Sequence, residues 1–194
     1  QKHKAQQPAQ TLTIEGGTIS VPEGFTIQQI AGEKLTQYPM LAVLDDRGQL
    51  FVTESSGKNV SGKKMAEVPE CRISVLEDTN GDGRYDRSKV FADNLSLPMG
   101  VLWRGQSLYV ASPPDFIRLD DADNDGVSEH REVILTGWNV LNTASLHGPF
   151  FGPNGWMYLT HGRHGYKIQT KEGQLLEGLA SRIWRSRADG TGLE

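Results

Sequence analysis

A chain of 194 residues, 37 % hydrophobic and 23 % charged, is long enough to bury one sizeable core. Its net charge of −4 offers no basic field to attract nucleic acid, and its single cysteine, Cys71, excludes an internal disulfide and an internal C-x-x-C-H haem attachment. No apolar run approaches the ~18 residues of a membrane helix, so no transmembrane segment is expected.

Residues 1–10 are polar and patternless and are expected to be disordered. The chain starts at Gln1, not Met, which reads as a mature end after removal of a signal peptide or as the edge of an excised piece. The first alternative implies a periplasmic or extracellular protein. Thr11-Leu-Thr-Ile14 and Phe25-Thr-Ile-Gln-Gln-Ile30 alternate apolar and polar residues and predict strands, with a turn at Glu15-Gly-Gly17. Three later stretches are versions of one strand entered from a glycine turn: Gly48-Gln-Leu-Phe-Val-Thr-Glu-Ser55, Gly105-Gln-Ser-Leu-Tyr-Val-Ala-Ser112 and Gly155-Trp-Met-Tyr-Leu-Thr-His161. Between them lies a second repeated unit, a strand followed by an acidic turn and a returning strand. The lysine-rich segment 57–70 reads as an exposed loop, with a helical turn only around Met65-Ala-Glu67.

Alternating plain and acidic-turn hairpins predict an all-β fold, a β-propeller of four-stranded antiparallel blades. The expected blades are 38–94, 97–137 and 146–194, so that 11–194 forms about three blades, the N-terminal part of a larger propeller. A β-sandwich is the alternative, which explains short strands but not the repeated turn chemistry. Arg182-Ile-Trp-Arg185 reads as the entry to a third outer hairpin turning at Asp189-Gly190.

The acidic turns are Asp78-Thr-Asn-Gly-Asp-Gly-Arg-Tyr-Asp86 and, 43 residues later, Asp121-Ala-Asp-Asn-Asp-Gly-Val-Ser-Glu129. Both read D-x-[DN]-x-D-G-x-x-[DE]. Side-chain oxygens at positions one, three, five and nine can converge on one hard cation: Asp78, Asn80, Asp82 and Asp86, then Asp121, Asp123, Asp125 and Glu129. Arg84 and Val127 add backbone carbonyls at position seven, and the glycine at position six permits the sharp turn. Without a cation so many carboxylates would repel one another, so two Ca²⁺ sites are expected, the alternative being solvated acidic turns. Glu132, at position twelve of the second loop, is a candidate extra ligand, whereas Lys89 stands at that position in the first.

Histidines gather in the third unit: His147 before the hairpin, then His161-Gly-Arg-His164 after its second strand. Blade strand ends line the funnel where propellers bind ligands, so an imidazole there can serve as a base and Arg163 can hold an anion. Hydrogen-bonding loop residues are the alternative. The four tryptophans are read as blade packing, and no phosphate-binding glycine loop or G-x-S-x-G elbow occurs.

The motifs Val21-Pro-Glu-Gly-Phe25, Asp46-Arg-Gly-Gln-Leu-Phe-Val-Thr-Glu54, Leu76–Asp86, Phe91-Ala-Asp-Asn-Leu95, Phe151-Gly-Pro-Asn-Gly-Trp-Met-Tyr158 and Ile183-Trp-Arg185 form a set. From about residue 20 onward this set resembles the N-terminal propeller of large secreted proteins of planctomycetes, verrucomicrobia and bacteroidetes labelled membrane-bound dehydrogenases. That propeller is in turn similar to soluble glucose/sorbosone dehydrogenases that use pyrroloquinoline quinone (PQQ). The resemblance implies PQQ as cofactor, a sugar or alcohol as substrate, and further blades with a cytochrome c domain as partners. It puts His147 where the hydroxyl-deprotonating base precedes a G-P-D-G-x-[IL]-Y hairpin. Asn154 stands in place of that Asp, and the strand ends His161-Gly-Arg163 instead of Gly-Asp. Against the dehydrogenase stands a non-catalytic, calcium-stabilised propeller that binds glycans or partner domains.

Overall fold

The computed structural model describes residues 9–14, 16–140 and 145–194, and it is built almost wholly from antiparallel strands. Alternation at the N-terminus forms a hairpin, β1 (Ala9–Ile14) with β2 (Gly17–Pro22), in the register Leu12 to Ile19. Gly16 turns it with φ of 88°, which a side chain resists. Ala9 and Gln10, expected to be disordered, thus pair with Pro22 and Val21, while residues 1–8 lie outside the described residues. The strand expected at 25–30 does not form. Phe25 and Ile27 face solvent, and the Ile30 carbonyl accepts the N–H of Tyr85, so this backbone bonds to the first acidic loop and not to a neighbouring strand.

Two four-stranded meanders follow. Sheet one runs β3 (Pro39–Leu44), β4 (Leu50–Glu54), β5 (Cys71–Glu77) and β6 (Arg87–Leu95) in sequence order. The 57–70 segment between β4 and β5 carries a short helix, α1 (Gly62–Glu67), whose Ser61 cap accepts the N–H of Lys64. Sheet two repeats the order with β7 (Val101–Arg104), β8 (Ser107–Ser112), β9 (Asp115–Asp120) and β10 (His130–Thr136). A third sheet joins β11 (Leu146–Phe151), β12 (Met157–His161) and β15 (Arg182–Ser186). Beyond β15 the chain turns at Asp189-Gly190, and Arg185 and Glu194 exchange both backbone hydrogen bonds. One hairpin was not anticipated: β13 (Tyr166–Gln169) and β14 (Leu175–Gly178) are inserted between β12 and β15. Among the described residues no helix is long and apolar enough to cross a membrane.

The sheets stack face against face. Phe51, Ile73, Val75 and Phe91 of sheet one bury against Leu108, Val110, Ile117 and Leu119 of sheet two. The other face of sheet two, with Tyr109, Ala111 and Phe116, packs on Leu146, Met157, Leu159 and Trp184, joined by Trp138, Tyr166 and Ile168. Each large apolar side chain so buried contributes about 1.5–3 kcal/mol. Leu108→Ala, at a site with no solvent exposure, removes enough to cost about 2–5 kcal/mol.

Hairpin lengths set the register between sheets. The loop closes across Asp45 and Gln49 in sheet one, across Arg104 and Ser107 in sheet two, and across Gly152 and Trp156 in sheet three. Gly105 therefore opens a shorter turn, and the three repeated strands align one residue away from their glycines. Counted from the closing pairs, Glu54, Ser112 and His161 occupy the same place, the last residue of the second strand.

Candidate metal centre

Each acidic loop connects the third strand of its sheet to the fourth, and the nine residues of each fold by the same five hydrogen bonds. In the first, the Asp78 carboxylate accepts the N–H groups of Asp82 (3.2 Å) and Gly83 (2.8 Å). Asn80 Oδ1 accepts Asp82 N–H (2.9 Å), Asp82 accepts Arg84 N–H (2.8 Å), and Asp86 accepts Thr79 N–H (3.3 Å). In the second, Asp121 accepts Asp125 (3.1 Å) and Gly126 (2.9 Å), and Asp123 accepts Asp125 (3.1 Å). Asp125 accepts Val127 (2.8 Å), and Glu129 accepts Ala122 (2.8 Å). Backbone conformation repeats too, with positive φ at positions four (Gly81, Asn124) and six (Gly83, Gly126). The bonds curl each loop around its own carboxylates.

In the second loop the predicted acidic ligands are brought together. Oxygens of Asp121, Asp123, Asp125 and Glu129 all lie within 4.8 Å of one another. Loop one shares the hydrogen-bonded frame, with Asn80 in place of the third carboxylate, but Asp78, Asp82 and Asp86 are not drawn into such a cluster. Hard oxygen donors in this number suit Ca²⁺, which takes six to eight oxygens at about 2.3–2.6 Å, water completing the shell. Backbone N–H donation, led by Gly83, holds the Asp78 carboxyl below its ordinary range. The Asp125 carboxyl is lowered as well, chiefly by the Lys89 ammonium.

Glu132 is not part of this cluster. It turns to β9 and pairs with Arg118 at 3.1 Å. Lys89, its counterpart at position twelve of loop one, instead crosses to loop two, where Nζ donates to Asp125 Oδ2 (2.9 Å) and to the Asp125 carbonyl (2.6 Å). Arg47 donates to Asn124 Oδ1 (2.9 Å), and Ser128 N–H donates to the Phe91 carbonyl (2.8 Å). Loop two is thus clamped to sheet one. Loop one is held by Tyr85, whose hydroxyl donates to the Gly48 carbonyl (3.1 Å). A groove of about 630 Å³ separates the loops, lined by Arg47, Gln49, Glu77, Arg87 and Asn124 among others. The offset of 43 already aligns Lys89 with Glu132, but sequence alone does not show that Lys89 reaches the neighbouring loop.

The histidines separate. His147 lies in β11 opposite Thr160, whereas His161 is opposite Leu146, so their side chains leave opposite faces of the sheet. His147 is half-buried, and Arg163 is exposed two residues beyond β12. Among the described residues no hydrogen bond or ion pair joins them. His161 is buried at 3 % exposure, its ring edge-on to Tyr166.

A further polar site escaped sequence reasoning. Glu54 has no solvent exposure, and its carboxylate accepts from Thr36 Oγ1 (2.7 Å), Gln37 N–H (2.6 Å), Arg72 Nε (2.5 Å) and Ser74 Oγ (2.7 Å). Burial alone would raise its pKa. The four donors, led by Arg72, overcome that and leave it lowered.

Together these features define an all-β protein of stacked antiparallel sheets with paired acidic loops, the second of which gathers carboxylates able to hold a metal ion. The chain belongs to the family described as a domain of unknown function (DUF7133), whose sequence profile matches residues 14–194. No curated protein matches it.

Proposed function

We propose that this chain is a calcium-stabilised β-propeller segment in which each four-stranded sheet is a blade and each acidic loop fastens an outer hairpin. The observation that carries the reading is the set of five hydrogen bonds repeated in both loops, which gives them one frame and in the second gathers four carboxylates. The stacking supports it as well. The sheet-one face bearing Phe51 and Thr53 is covered by sheet two, and the equivalent face bearing Tyr109 and Ala111 is covered by sheet three. The equivalent face of sheet three leaves Phe150 at 64 % and Ile183 at 74 % exposure, a surface on which a further blade would stack. The reading includes an exported setting, where Ca²⁺ is abundant enough for modules with dissociation constants of about 0.1–1 mM.

Calcium titration by calorimetry, with melting followed in Ca²⁺ and in chelator, tests the proposal. Two binding events and a chelator-dependent fall in melting temperature are expected. Absence of heat and an unchanged melt would sink it.

A catalytic reading, a sugar or alcohol dehydrogenase with His147 as base and Arg163 beside it, is favoured by one observation: His147 is on the open face of sheet three, away from the core that buries His161. Neither His147 nor Arg163 lines the grooves beside the acidic loops and the sheet edges. Aldose-dependent dye reduction in the presence of PQQ, abolished by His147→Ala, would overturn the non-catalytic reading.

A further inference from the structure

The place shared by Glu54, Ser112 and His161 is a buried polar position in all three sheets, with exposures of 0, 5 and 3 %. In the first two it ties the sheet to chain that precedes the sheet's first strand. Glu54 holds Thr36 and Gln37 just ahead of β3, and Ser112 Oγ shares a hydrogen bond of 3.2 Å with Ser96 Oγ ahead of β7. His161 breaks the series. Neither ring nitrogen has a hydrogen-bond partner among the described residues.

What surrounds His161 is apolar or cationic. From β11 its cross-strand neighbour is Leu146, and from β15 it is Arg182, whose guanidinium lies over the rings of Tyr166 (5.3 Å) and Trp184 (5.7 Å). From β13 the Tyr166 ring meets the imidazole edge-on at a centroid distance of 6.0 Å and continues into Trp184 at 4.7 Å. The following turn adds His164, and Arg163 beside it is exposed. The titratable or charged groups facing the ring are therefore Arg182, Tyr166 and His164, with no carboxylate among them to compensate an imidazolium. Burial first, and His164 second, push the His161 pKa below its ordinary value.

We propose that His161 is an acid-sensitive latch: neutral, it packs the inserted β13–β14 hairpin through Tyr166 onto sheet three, and protonated it releases that hairpin. A cation created at this position has no acceptor and stands beside Arg182, so the ring must reach solvent to be protonated. Its way out is through the Tyr166 contact, because strands β11 and β15 flank it on the sheet.

Amide hydrogen exchange of the chain at pH 7.5 and 5.5, corrected for the intrinsic rates, tests this. Both values lie above the ordinary carboxylate range, and a parallel run in excess Ca²⁺ keeps cation loss from imitating the effect. Expected is a loss of protection of tenfold or more in residues 166–178 at pH 5.5, with sheet one unchanged, and no such loss in His161→Phe. An equal loss in the variant overturns the proposal, as does unchanged protection in the native protein. Should His161→Phe not fold, the imidazole carbon signals of the native protein decide. Titration below the ordinary value together with the hairpin's opening supports the latch, and titration near 6.5 with no opening refutes it.

Discussion

Glu54 and His161 hold the same place in two sheets of similar build, yet their surroundings are opposite. Glu54 is a buried charge with a donor for each lone pair that faces the protein, whereas His161 is a buried titratable ring with none among the described residues. A strand end that dives beneath the preceding chain leaves room for one polar side chain. What that side chain does depends on how many partners the fold supplies. With four it is a permanent rivet, with one, as at Ser112, a weak tie, and with none a group held in place only while it stays neutral.

The comparison can be broken by substitution. Glu54→Ala strands Arg72 and three other donors and should cost about 3–5 kcal/mol, which at about 2–4 °C per kcal/mol lowers the melting temperature by some 10 °C. Calorimetry that finds Glu54→Ala melting no lower than Ser112→Ala would undo the ranking. Asp121→Ala should come next. At a Ca²⁺ concentration about a hundredfold above Kd, one site adds about 2.7 kcal/mol, so its loss lowers the melt by about 5–10 °C in calcium and by much less in chelator. Ser112→Ala removes a single hydrogen bond and should cost about 1 kcal/mol. At the small end, His161→Met at pH 7.5 should be neutral or slightly stabilising, because it exchanges an unpaired polar group for an apolar one.

Acid sharpens the contrast. The pKa of Glu54 is lowered in the fold, so its contribution is complete above the ordinary carboxylate range and is lost as pH falls through the lower folded value. Asp78 and Asp125 behave alike. His161 is also lowered, but here the neutral form is the native one, so stability is complete above about 6.5 and declines as pH drops below it. Melting temperature against pH should therefore fall in two stages, and His161→Met should remove only the upper one.

How much of this the sequence reveals depends on how local the physics is. The acidic loops are legible because all five hydrogen bonds close within nine residues, and glycine at position six marks the turn. The strands of the three sheets show in their alternation and turn residues. Residues 25–30 mislead because they alternate without a sheet to bury against. The inserted hairpin escaped notice although Lys171-Glu-Gly173 is a plain turn signal, with Gly173 at φ of 87°. Contacts between distant segments leave no local trace. Nothing around Glu54 announces Arg72 and Thr36, and nothing around Lys89 announces Asp125.

The clamps on the acidic loops also have a direction. Loop two is gripped by Lys89, Arg47 and the Phe91 carbonyl, and loop one by Gly48 and Ile30, every one of which lies earlier in the chain than the loop it holds. A ribosome delivers residues in that same order, and domains assemble from the N-terminal side as they emerge. Each loop therefore arrives at a surface already made, and neither has to wait for a later one.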